Sequence, residues 1–417
     1  MRIAFNRSAK LAGAGAAVAL ALALGACSGG SPGAGGETSG GAVAEVGVTA
    51  DTIRLAASQT LSGPGAASCA PSTDAAQLYF DKVNDEGGVD GRKIDFEVLD
   101  DGYDPQRALA NVRGFIDSKF AMVGACGSAT AAAIYRTLSD AGMPFLFPTN
   151  GVAEVVKPAS PGILQLLPLY EDQTASMVRY GFEEFGSGSI FVVVNPLGEY
   201  ESAISRAREV AESGGGSFVD SAVAQLGTTD YTPIALQIKE ADPDFVVMSM
   251  GGSDSAKFVN ALVDQNALPR SAVLGTSASV AGSFLSSYNT AASDKVYFGS
   301  AIQLPPSAEN ECTQLLAGGD FANDPIALIG CASAQAIVEA IRQTPELTRA
   351  NLLATIESWD EEDISPGIFA PVSFSATDHI GLKTLYVVQP QGTEFGVIAE
   401  CPYSEDENAD ASCTPAG

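Results

Sequence analysis

Histidine and basic side chains are what this chain has least of. Its 417 residues include one histidine and one tryptophan, and 22 Lys plus Arg stand against 50 Asp plus Glu, for a formal net charge of −28. A Ser–His–Asp or Cys–His arrangement needs a base beside the nucleophile. The lone imidazole, His379, lies in the polar stretch Ser375-Ala376-Thr377-Asp378-His379, far in sequence from the cysteine- and serine-bearing loop at 124–130. That stretch reads as a surface turn with a solvated histidine, so no catalytic residue is assigned and no enzyme is expected. Zinc is equally short of ligands, and neither a metal nor a cofactor is expected. So acidic a surface repels nucleic acid and anionic lipid headgroups. Phosphate-binding signatures are missing too: Gly124-x-x-Gly127 has neither the lysine nor the spacing of a P-loop, and no GxGxxG opens a helix. The carboxylate groups Asp100-Asp101 and Glu361-Glu362-Asp363 read as solvated loops.

The N-terminal apolar stretch Leu11–Leu24 falls short of the ~20 residues that cross a bilayer. With Arg2, Arg7 and Lys10 ahead of it, it has the layout of a secretory signal. Leu24-Gly25-Ala26-Cys27 resembles a bacterial lipobox. The expected organisation is therefore a signal peptide at 1–26, lipidation at Cys27 and a Gly/Ser-rich tether at 27–45. Removing 1–26 takes away three cations and no carboxylate, which deepens the net charge to −31. Six other cysteines remain, an even number that suggests disulfides in an exported chain. Fifteen pairings are possible. Sequence proximity favours Cys312–Cys331 and Cys401–Cys413, which leaves Cys69–Cys126.

From residue 53 onward, short apolar runs alternate with amphipathic ones. Ile53–Ala57, Ile94–Leu99, Phe120–Gly124 and Met143–Phe147 read as strands. Helices are expected at Ser72–Asp85, from Asp104-Pro105 to Asp117, and at Ala129–Asp140. The rhythm restarts near Tyr170, with strands at Ile190–Val194, Phe218–Gln225, Phe245–Met250, Ala272–Leu274 and Val296–Ile302. Two helices, Ile326–Gln343 and Arg349–Ser358, precede a terminal pair of strands, Leu385–Val388 and Phe395–Ala399. Such alternation implies an α/β chain with two Rossmann-like lobes built on parallel-rich sheets. In open parallel sheets ligands sit beyond the carboxyl ends of the strands. The loop Gly124-Ala125-Cys126-Gly127-Ser128-Ala129-Thr130 occupies that place, ahead of a helix N-terminus suited to an anion. Ser128 reads either as that helix's N-cap or as a ligand contact.

Several segments resemble the solute-binding proteins of branched-chain (hydrophobic) amino acid ABC transporters. They are Thr60–Pro64, the run Val83–Ile94 with Gly87-Gly88-Val89-Asp90-Gly91-Arg92-Lys93, Asp100-Asp101 through Asp104-Pro105, Asp230–Pro233 and Ala370–Phe374. The resemblance implies the type I periplasmic binding fold, with three crossovers near Leu167, Ile302 and Val372. Lobe one would comprise 46–167 and 303–372, and lobe two 168–302 and 373–400, followed by an acidic tail at 401–417. It also implies a monomer that captures a small polar ligand, an amino acid or related organic acid or amide, and delivers it to ABC permease subunits. The membrane would be met through the lipid anchor only. A sensory receptor of the same fold and a lipid-anchored hydrolase are the alternatives.

Carried over residue by residue, the resemblance places ligand contacts at Ser62, Gly127, Ser128, Thr130, Thr149 and Asn150 in lobe one. In lobe two it places them at Leu197, Tyr200, Gly252, Ser253, Thr276 and Ser277. Glycine stands at 127 and 151, where the family commonly has serine and threonine. The acid that holds an amino acid's ammonium has no obvious counterpart; Asp254, Glu199 and Glu171 are the candidates.

Overall fold

The computed structural model describes residues 45–63, 65–196, 200–322, 324–402 and 412–416. The expected signal peptide, Cys27, the tether before residue 45, Leu197, Glu199 and the acidic run at 405–410 lie outside them.

Apolar strands without alternation are buried on both faces and belong in the middle of parallel sheets. Two sheets follow that rule. The first holds β1 (Thr52–Gln59), β2 (Lys93–Asp100), β3 (Ala121–Val123), β4 (Phe145–Leu146) and β5 (Ile163–Leu164), all parallel in the order β2-β1-β3-β4-β5. Its central β3 is wholly buried, whereas edge strand β2 alternates, with Ile94 inside and Lys93 and Asp95 exposed. The second sheet contains β6 (Ser189–Val194), β7 (Ser217–Val223), β8 (Phe245–Ser249), β9 (Ala272–Gly275), β10 (Val296–Ser300), β11 (Thr384–Gln391), β12 (Glu394–Pro402) and β13 (Thr414–Pro415), in the order β13-β12-β11-β10-β9-β8-β6-β7. From β7 to β10 it is parallel; β10 to β13 is antiparallel.

The chain passes between the sheets three times: after β5, after β10 and ahead of β11. Between the last two passes, helix Pro325–Gln343 packs along helix Ala66–Asp85 beside the first sheet. Among the described residues this helix alone is long and apolar enough to cross a membrane, but it is a core helix here, with 83% of its apolar window buried. It starts at Pro325, capped by Asp324, whose carboxylate accepts from Ile326 and Ala327 N–H at 2.8 and 3.2 Å. Asp104 does the same ahead of Pro105, for Gln106 and Arg107. Each cap contributes about 1 kcal/mol. Three disulfides are present: Cys69–Cys126, Cys312–Cys331 and Cys401–Cys413.

The structure corrects four expectations. Helix Ala66–Asp85 begins six residues early and takes Pro71 into its interior. Only one helical N–H is lost there, and the disulfide at Cys69 and the packed helix Pro325–Gln343 hold the turn. Gly127, not Ser128, is the N-cap of helix Ser128–Asp140, at φ +125°. Asp101 is fully buried rather than solvated; its carboxylate accepts from the Ser58 hydroxyl and the Tyr103 N–H. His379 is 4% exposed. The backbone from 379 to 382 pairs with Gln165 and Leu166 in the interior and carries the imidazole inward. Its Nε2 stands 3.9 Å from Glu357 Oε1, and neither ring nitrogen has a hydrogen-bond partner.

Candidate functional site

The carboxyl ends of strands from both sheets face one cavity of about 760 Å³, open in part to solvent. Tyr103 follows β2, Cys126 to Ser128 follow β3, and Thr149 follows β4. From the second sheet come Leu226 after β7, Gly251 after β8 and Ser277 after β9. Helix Pro325–Gln343 adds Ile326 and Ile329, one turn apart on the same face.

The loop after β3 is fixed from four directions. Cys126 N–H donates to Gln59 Oε1 at 2.7 Å. Its carbonyl oxygen lies 3.1 Å from the Thr60 hydroxyl, which is also 2.9 Å from Asp101 Oδ1. Thr149 N–H donates to the Ala125 carbonyl at 3.0 Å, and the disulfide joins Cys126 to Cys69. Both cavity-lining thiols are thereby closed to nucleophilic work. Three non-glycine residues at these strand ends hold left-handed backbone: Tyr103, Ala125 and Phe147, at φ +64°, +73° and +57°. Such conformations cost on the order of 1–3 kcal/mol each and gather at functional sites.

Among the described lining residues Asp254 carries the only charge. It is buried and already satisfied: Oδ2 accepts from Gly227 N–H at 2.8 Å and Oδ1 from Lys257 Nζ at 3.2 Å. Burial pushes the Tyr103 and Tyr170 phenols above their ordinary range. The Tyr170 hydroxyl is turned toward the Ser128 side chain. The Tyr103 oxygen is turned toward the backbone N–H groups of Ser128 and Ala129 but closes no hydrogen bond of good geometry.

Of the residues expected from sequence, Gly127, Ser128, Thr149, Ser253 and Ser277 come together on this cavity. Tyr200 lines a separate space of about 280 Å³ with Glu171, Asn195, Ser249 and Gly151, which shares Tyr170 with the first. The rest serve their neighbours. Ser62 is exposed and donates to Asp100 Oδ2 at 2.6 Å. Thr130 donates to the Gly127 carbonyl at 3.0 Å. Asn150 accepts from Val152 N–H, leaving its Nδ2 unpartnered. Gly252 packs where a Cβ would stand 2.7 Å from Ala281. The buried Thr276 hydroxyl faces Ser249 Oγ at 3.4 Å. Tyr103, Tyr170, Leu226, Ile326 and Ile329 were missed. Tyr103 could have been found, since it follows the carboxyl end of β2 within Asp100–Pro105. The two isoleucines carry no local signal.

Two α/β lobes with a cleft across their strand ends define a ligand-binding protein with the type I periplasmic binding fold. The chain belongs to the periplasmic binding protein family, whose model matches residues 52–394. The Leu/Ile/Val-binding protein BraC3 of Rhizobium johnstonii is 24% identical over 189 residues, covering 45% of this chain and 51% of the relative. The chain thus spans about half the length of the curated relatives it matches. Among solved structures, a fatty acid ABC transporter substrate-binding protein from Thermomonospora curvata is similar at a TM-score of 0.77 and 22% identity, over 87% of this chain and 95% of the other. A branched chain amino acid ABC transporter protein from Thermus thermophilus with bound valine gives 0.76 and 18%, over 85% and 97%.

Proposed function

We propose that this protein is the extracytoplasmic solute receptor of an ABC importer, a monomer anchored by lipid at Cys27. In this reading the lobes are 46–167 with 303–372 and 168–302 with 373–400, hinged near Leu167, Ile302 and Val372. One observation carries it: a single cavity takes its walls from strand ends of both sheets. A ligand seated there touches both lobes, so its binding free energy favours the closed arrangement. A permease that engages the closed form then distinguishes loaded from empty receptor. Family membership supports the reading, and ABC transport enters it through the two structural neighbours, both described as ABC transporter proteins.

The test is thermal denaturation of the purified protein against a broad metabolite panel that includes all amino acids, paired with small-angle scattering. A binding metabolite should raise the midpoint and contract the particle. A panel without a single shift overturns the proposal.

A further inference from the structure

Two tyrosines fill the end of the cleft where an anionic ligand group would have to sit. Helix Ser128–Asp140 points its N-terminus at the cavity, and its first free N–H groups are the natural partners of a carboxylate there. Tyr103 stands in front of them, its buried oxygen turned to the N–H groups of Ser128 and Ala129. The ring has room because residue 127 is glycine: a Cβ there would lie 3.1 Å from the Tyr103 ring and 2.7 Å from Thr130 Oγ1. Tyr170 repeats the arrangement at Gly151, where a Cβ would lie 2.7 Å from its ring. Its hydroxyl is turned toward the Ser128 side chain. The two positions that lack side chains are thus matched by two rings that use the space.

Charge agrees with shape. Asp254, the one charged lining residue among those described, is already paired, and no Lys, Arg or His joins it on the cavity wall. Among the described lining residues a carboxylate taken from water into this site would meet no cation, and the Tyr103 ring stands between it and the helix N–H groups, a heavy desolvation penalty. Leu226, Ile326 and Ile329, on the same cavity, offer apolar contact. Tyr103 keeps its place at φ +64°, a conformation that bulky residues rarely adopt.

Building on the solute-receptor reading, we propose that the cleft takes an uncharged, apolar-bodied small molecule and that Tyr103, backed by Tyr170, excludes ligands bearing a carboxylate. The experiment uses the full chain, titrated calorimetrically with matched probes: benzyl alcohol against benzoate, and 1-hexanol against hexanoate. Wild type is expected to bind the neutral member of each pair at least ~10-fold more tightly. Tyr103→Gly suits the positive φ and opens the helix N-terminus, so it should bind the acids ~10-fold more tightly than wild type does. Tyr103→Phe keeps the ring and should keep the exclusion. Preference of wild type for the acids overturns this inference and leaves the receptor reading standing, as does an unchanged order in a Tyr103→Gly protein with a native circular dichroism spectrum. Any metabolite that binds from the broad panel is judged by the same criterion, its charge. Binding by no probe and no metabolite removes the receptor reading, and this inference with it.

Discussion

The side-chain carbonyl of Gln173 accepts the backbone N–H of Ser277 at 2.8 Å, while its amide donates to the Pro168 carbonyl at 2.7 Å. Gln173 is fully buried. One side chain thus ties the passage after β5 to a cleft loop of the second sheet. Gln173→Leu keeps the bulk but strands a buried donor and a buried acceptor, at ~1–3 kcal/mol for each. Chemical denaturation should show a loss of about 2–6 kcal/mol, and Gln173→Glu, which sets a buried carboxylate against the Pro168 carbonyl oxygen, should lose at least as much at neutral pH.

Cys69 and Cys126 close a loop of 57 residues between two cavity walls. The chain-entropy estimate gives about 4 kcal/mol for a loop of that size. The double variant Cys69→Ala/Cys126→Ala should therefore unfold at lower denaturant concentration by roughly that free energy. Ligand affinity should fall with it, because Gln59 and Thr60 then hold the Cys126 loop without covalent help.

Asp244 accepts from Arg270 Nε at 2.8 Å and from the Ser189 N–H and hydroxyl at 2.7 and 2.9 Å. The Arg270 hydrogen bond leads in lowering its pKa from 3.8 to about 2. A depressed carboxylate stabilises the fold above its unfolded pKa and loses that contribution as pH falls through the folded one. Asp244→Asn should cost about 2 kcal/mol or less at neutral pH, the carboxylate being partly solvated. The gap between variant and wild type should close as the pH is lowered from 4 to 2, read from urea midpoints across that range.

Gly151 meets Tyr170 so closely that an added methyl would stand 2.7 Å from the ring and 2.9 Å from the backbone nitrogen. Gly151→Ala should destabilise by about 1–3 kcal/mol through overpacking. Adding Tyr170→Ala should recover part of the loss, as measured by thermal midpoints.

Much of the architecture was legible in the sequence because it rests on local signals. Apolar runs such as Ile190–Val194 announce buried parallel strands, and Asp104-Pro105 marks a helix start within one residue. The loop after β3 was legible as a cavity wall because open sheets present such loops at their carboxyl edge. What stayed hidden depends on contacts between distant segments. His379 is drawn inward by pairing with Gln165, more than two hundred residues earlier in the chain, and its polar neighbours gave the opposite impression. Ile326 and Ile329 are ordinary core residues by periodicity; only the packing of their helix along Ala66–Asp85 turns them to the cavity. The glycines at 127 and 151 were visible as departures from the family pattern. Their partners, Tyr103 and Tyr170, were not, because a missing Cβ does not say what takes its place.

The late strands β11 and β12 complete the second sheet beside β10, while helix Pro325–Gln343 covers the first. Neither lobe is therefore a contiguous stretch of chain. As the polypeptide emerges from its N-terminus, β1 to β5 wait for a helix made some 160 residues after β5. The lobe that follows waits in turn for its last strands, which begin at Thr384. A chain halted anywhere short of β11 leaves the edge of β10 unpaired. Both halves are completed only by segments from Pro325 onward.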